Sequence, residues 1–87
     1  MIKAVVQHEV QDYKRWRPFY DNHIDVRKKF GMKSEKVYVN PDNNNLVLIL
    51  FEWDNKEHVN EFMQDSELKE LMKKAGVKSV PEFFITD

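Results

Sequence analysis

Leu46 to Phe51 is an unbroken run of six apolar residues, Leu-Val-Leu-Ile-Leu-Phe. It is shorter than an ordinary helix, so it reads as the body of a strand. A strand points alternate side chains to opposite faces, and here both faces must leave water. Phe83, Phe84 and Ile85 repeat the demand later in the chain. A sheet built on such strands needs cover on two sides. Helices can supply one. Burial of the other at about 25 cal/mol per Å² calls for a second apolar surface, most simply the same sheet of another copy.

Residues 1–87 read as one domain, and a chain this short buries only about 60% of its unfolded surface when it folds alone. There are no cysteines, so neither disulfides nor thiolate metal sites can stabilise it. That too favours a homodimer. Lys plus Arg number 14 against 15 Asp plus Glu, a net charge of −1 that gives no field to hold a polyanion. The opening MIKAVVQHEV reads as a strand rather than a leader, and no apolar run approaches the roughly 20 residues of a membrane span. The expectation is a soluble, cytoplasmic protein that contacts neither membrane nor nucleic acid.

The elements follow from local signals. A strand is predicted over residues 2–9, ended by Gln11-Asp12. Asp12 is an N-cap candidate, and Tyr13, Trp16, Tyr20, Ile24 and Phe30 recur at helical spacing until Gly31 closes the helix behind the basic turn Arg27-Lys28-Lys29. Pro18 predicts a kink, or a helix that begins near Arg17. Strands follow at Met32–Val39 and Leu46–Trp53, joined by a loop over residues 41–45. Asp54 and Glu57 have capping-box spacing before a helix that buries Val59, Phe62 and Met63. A break near Asp65 leads to the stripe Leu68, Leu71, Met72 and Ala75, which Gly76 stops. A last strand runs from Val80 to Thr86. The order βαββαβ predicts an α+β, ferredoxin-like sandwich with a four-stranded antiparallel sheet.

Several residues could carry chemistry. His23 and Arg27 stand at i and i+4 near the apolar stripe of the first helix, with Trp16 and Tyr20 one and two turns back. A basic pair among aromatics can bind a carboxylate or enolate oxygen, with Arg27 as fixed charge and His23 as acid or base. The plainer alternative lets Arg27 pair with Asp25 or Glu52 at the stripe's edge. His8 shares a strand face with Ile2, Ala4 and Val6 and becomes a third candidate if that face looks under the helices. Tyr38, Phe51 and Trp53 are large enough to wall a pocket, although strand aromatics are ordinarily core. His58 is expected in solvent. The three histidines are scattered, so no metal site is expected. The serines lack nucleophile-elbow glycines, and two glycines cannot build a phosphate-cradling loop.

The stretch Val10-Gln-Asp-Tyr13, Trp16, Phe19-Tyr-Asp-Asn-His23 and Arg27, with Asn40-Pro-Asp42, Phe51-Glu-Trp-Asp54, Phe62, Ser66-Glu-Leu68 and Ala75-Gly-Val77, resembles the dimeric α+β barrel superfamily. That group includes antibiotic-biosynthesis monooxygenases, haem-degrading monooxygenases, stress-responsive barrel proteins, and small uncharacterised proteins labelled cyclase-like. The resemblance covers the whole chain. It implies a dimer whose two sheets form a barrel, with a small-molecule cavity in each subunit between sheet and helices. It carries over no catalytic set. Haem-degrading members place an Asn on the first strand with a Trp and a His downstream, whereas this strand has Gln7 and His8, and Trp53 and His58 stand too close together.

The same element order belongs to the RNA-recognition fold. There the third strand should alternate exposed aromatics with basic residues, and Leu46–Phe51 has no Lys or Arg. The reading that emerges is a small-molecule-binding dimer, a cofactor-independent monooxygenase or cyclase for a compact aromatic or hydrophobic substrate. Its alternative is a non-catalytic ligand-binding, stress-responsive or effector-sensing dimer.

Overall fold

The computed structural model describes residues 1–79 and 81–86. Its elements are β1 (Ile2–Glu9), α1 (Tyr13–Asn22), α2 (Ile24–Phe30), β2 (Met32–Asn40), β3 (Asn43–Trp53), α3 (Lys56–Met63), α4 (Ser66–Ala75) and β4 (Glu82–Thr86). The strands form one sheet in the order β2-β3-β1-β4, every neighbour antiparallel. This is the α+β ferredoxin-like sandwich expected from the sequence, with each helical crossover divided in two. The start of the last strand at Val80 lies outside the described residues.

Alternation sorts the side chains into two faces. Ala4, Val6 and His8 of β1 and Val47, Ile49, Phe51 and Trp53 of β3 are buried under the helices, joined there by Trp16, Tyr20, Val59, Phe62 and Leu68. Cross-strand pairing places Val5, Leu48, Leu50, Tyr38 and Phe84 together on the opposite face. There Tyr38 is 48% and Phe84 61% exposed, so the second face carries an uncovered apolar strip, flanked by Lys3, Gln7, Lys36, Glu52 and Glu82.

The crossover after β1 breaks elsewhere than expected. Pro18 is accommodated inside α1, on an exposed turn where only the bond to the Lys14 carbonyl is lost. The break comes at His23, whose backbone (φ −92°, ψ 6°) ends α1 and begins α2. The β2–β3 connection is also tighter than the predicted 41–45 loop. Asn40 Oδ1 accepts from the amides of Asp42 (2.8 Å) and Asn43 (3.1 Å), so the turn needs only Pro41 and Asp42 and the asparagines zip into β3. At α3 the cap is Asn55, which accepts from the His58 amide at 2.9 Å, rather than Asp54. Asp54 instead binds the His58 ring, its two oxygens each 2.9 Å from Nδ1, so His58 is paired and only partly exposed rather than free in solvent.

No helix among the described residues is long and apolar enough to cross a membrane.

Candidate functional site

The first crossover delivers the charged end of the site. The turn at His23 directs the Tyr20 carbonyl to two donors, the His23 amide at 3.2 Å and Arg27 Nη1 at 2.7 Å. Arg27 is 2% exposed, its Nε and Nη2 lying 3.3 and 3.1 Å from the two carboxylate oxygens of Glu35 on β2. Its guanidinium carbon sits 3.8 Å from the centre of the Tyr20 ring. The pairing with Asp25 or Glu52 weighed from the sequence does not form. A guanidinium has five N–H groups and these bonds use three, so two remain for a ligand.

Beneath lies a cavity of about 50 Å³ between the sheet and the helices. Val6, Ile49 and Phe51 form its floor, Phe62, Leu68, Leu71 and Met72 its roof, and His8, Tyr20, His23 and Arg27 interrupt the apolar wall. Four polar side chains facing one small apolar space are more than a core requires. His8 is 5% exposed, and its Nδ1, the Tyr20 hydroxyl and the His23 Nδ1 are all buried without a hydrogen-bond partner. Buried polar atoms are normally satisfied; among the described residues four side-chain atoms are not, and three of them surround this cavity, the fourth being Trp53 Nε1.

The same burial sets the protonation states. It pushes the His8 imidazole below its ordinary value of 6.5. His23 is lowered too, by burial first and then by the Arg27 charge, with Asp65 and Glu67 opposing. Both rings therefore favour the neutral form at neutral pH and hold a proton less readily than a free imidazole. Burial raises the Tyr20 phenol far above its usual range, and the nearby Glu35 carboxylate adds to this without closing a hydrogen bond onto the hydroxyl. Tyr20 stays a neutral donor.

The structure thus brings together five of the eight residues singled out in the sequence: His8, His23 and Arg27 with Tyr20 and Phe51. Trp16 stands one layer back. It meets the His8 ring edge-on at 5.5 Å and stacks on Tyr20 at 4.9 Å, which makes it a support for two wall residues. Trp53 is wholly buried against Phe51 and Phe62 and does not line the cavity. Tyr38 is on the opposite face of the sheet, paired with Leu48, and has no part in the cavity. Sequence reasoning missed Glu35. Its signal was a charge on the strand face that also carries Val37 and Val39, a position that requires a buried partner. Among the described residues no group of His, Asp and Glu is placed to hold a metal ion.

No family model matches the chain, and no curated protein does. Solved structures do. An antibiotic biosynthesis monooxygenase superposes with a TM-score of 0.75 at 12% identity, covering 100% of this chain and 97% of that one. A conserved protein from Methanosarcina mazei Go1 gives 0.74 at 18% identity, with 97% and 88% covered. SnoaB, a cofactor-independent oxygenase from Streptomyces nogalater, gives 0.73 at 10% identity, with 95% and 89% covered.

This chain has the antibiotic biosynthesis monooxygenase fold.

Identities of this size make the likeness one of backbone, and the site must be argued from its own side chains. In that fold the cavity of this chain is bounded by β1 and β3 below and by residues of all four helices above, with Tyr20 from α1 and the ion pair Arg27–Glu35 on one side.

Proposed function

We propose that this chain works as a cytoplasmic homodimer in which each subunit binds a compact aromatic or hydrophobic molecule in the cavity and oxidises or rearranges it without a tightly held cofactor. The observation that carries this reading is the set of buried, unpartnered polar atoms on His8, Tyr20 and His23 around the cavity that Arg27 also lines. A hydroxyarene bound there gives its proton to the neutral imidazole of His23 or His8. The oxygen it leaves negative meets the two unused N–H groups of Arg27 and the Tyr20 hydroxyl. Dioxygen is the oxidant: it adds to an electron-rich ring carbon, and one of its oxygens leaves as water with that carbon's hydrogen and the proton held by the imidazole, giving a quinone, while the apolar walls keep bulk water away. SnoaB, with the same fold, is a cofactor-independent oxygenase, which agrees with this chemistry.

The dimer reading rests on the open sheet face. Val5, Leu48, Leu50, Tyr38 and Phe84 make an apolar strip that a second copy would cover.

The test is a panel of quinols and hydroxynaphthalenes followed by oxygen uptake and by calorimetric binding. His23→Gln is expected to lower turnover by about 10²-fold or more while binding survives. Binding with no turnover by the unchanged protein would leave a ligand-binding module. No binding at all would sink the reading.

A further inference from the structure

At about 50 Å³ the cavity is too small for the ligands just proposed, since an apolar cavity that takes up benzene measures about 150 Å³. Some wall must yield. The floor is ill suited, because β1 and β3 are the inner strands of the sheet and are hydrogen-bonded on both sides. On the helical side, an open groove along α4 is lined by His23, Ser66, Glu67, Glu70, Leu71 and Lys74. His23 and Leu71 also line the cavity. These two side chains therefore lie between the cavity and the groove. His23 sits at the junction between α1 and α2, its side chain caps neither helix, its Nδ1 has no partner, and it rests on Phe62 at a ring separation of 6.1 Å.

We propose that ligands reach the cavity between α2 and α4, through a portal closed by His23 and Leu71, and that the acidic rim of this portal admits uncharged ligands in preference to carboxylates. This rests on the reading of the cavity as a ligand site. Glu67 and Glu70 stand in the groove against Lys74, and Asp65 is close enough to act on His23. Inside, Glu35 already neutralises Arg27, and burial holds His8 and His23 toward their neutral forms. A carboxylate would cross a negative rim, lose its water and meet no net positive charge. A hydroxyarene makes the same passage uncharged and ionises only against the imidazoles.

Two probes on the same ring system, 2-naphthol, neutral at pH 7, and 2-naphthoate, charged there, separate the possibilities when their association rates are followed by stopped-flow fluorescence. In the full chain, Leu71→Trp is expected to slow 2-naphthol by about tenfold or more and Leu71→Ala to speed it, both with smaller changes in affinity. The unchanged protein should bind 2-naphthoate about tenfold or more weakly than 2-naphthol. Glu67→Gln with Glu70→Gln should narrow that gap, as should added salt. Thermal melts of each variant confirm that it folds. If Leu71→Trp binds 2-naphthol as fast as the unchanged chain while Pro81→Trp, on the β4 side of the cavity, slows it, the portal is elsewhere. Equal affinity for the two probes would overturn the charge selection. Failure of the unchanged protein to bind either probe would refute the ligand-site reading itself.

Discussion

Arg27 holds Tyr20 twice, by a 2.7 Å hydrogen bond to its carbonyl and by a guanidinium carbon 3.8 Å from the centre of its ring. One side chain thereby fixes both the backbone at the turn into α2 and the phenol that faces the cavity. The arrangement depends on Glu35, which neutralises the charge from the adjoining strand.

Removing one member of that pair should be costly. Glu35→Leu leaves a nearly buried guanidinium without its counter-ion and is expected to lower stability by about 3 kcal/mol, the low end for such a loss because Glu35 keeps 19% exposure. Combining it with Arg27→Met should restore all but about 1 kcal/mol, since two apolar groups need no neutralisation. Urea unfolding of the four proteins of the cycle measures both numbers. A double-variant loss equal to the sum of the two single losses would show that the pair is not coupled.

Two histidines give the fold a dependence on pH whose sign can be stated. His8 and His23 bind a proton less readily in the folded protein than at their ordinary value of 6.5. The unfolded chain therefore holds more protons just below that pH. Stability should be full above pH 6.5 and drain away as pH falls from there toward the lower folded-state values. Asp54, lowered chiefly by its bond to His58, acts in a separate window below its ordinary 3.8. His8→Phe, which can keep the edge contact with Trp16, should make the upper window shallower, with His23 still contributing, and leave the lower one. A melting temperature that stays level between pH 7 and about 5 in the unchanged protein would contradict this.

The uncovered sheet face predicts an assembly. Sedimentation at micromolar concentration should return twice the 10.5 kDa of one chain. Phe84→Glu places a charge on the most exposed large residue of the apolar strip and should return the monomer mass with the far-ultraviolet spectrum unchanged. A mass of 10.5 kDa for the unchanged protein would remove the dimer from the account.

What could be read from the sequence tracks how local each signal is. The alternation in β1 and the unbroken run in β3 marked the strands, and Gly31 and Gly76, both at positive φ, ended helices where expected. The break at His23 was hidden because a proline two residues beyond the first turn of α1 is the stronger local cue, yet an exposed turn tolerates the one bond it removes. The outward direction of Tyr38 was hidden because β3 is apolar on both faces, so opposing Leu48 does not tell which of the two faces lies under the helices. The Arg27–Glu35 pair spans eight positions across a helix end and a strand start, a spacing no helical or strand period marks. The cavity residues on β1 and α2 were legible in outline. Their convergence with α4 was not, because it depends on packing at long range in sequence.

Along β1 the cavity's histidine and the apolar strip's valine are only three residues apart, on opposite sides of a single layer of backbone. A deletion or insertion of one residue early in this strand would exchange the faces of everything beyond it, swinging Gln7 inward and His8 outward. Both surfaces would fail in the same event. Drift in this strand is thus confined to substitutions, and its length is as much a part of the site as the imidazole it carries.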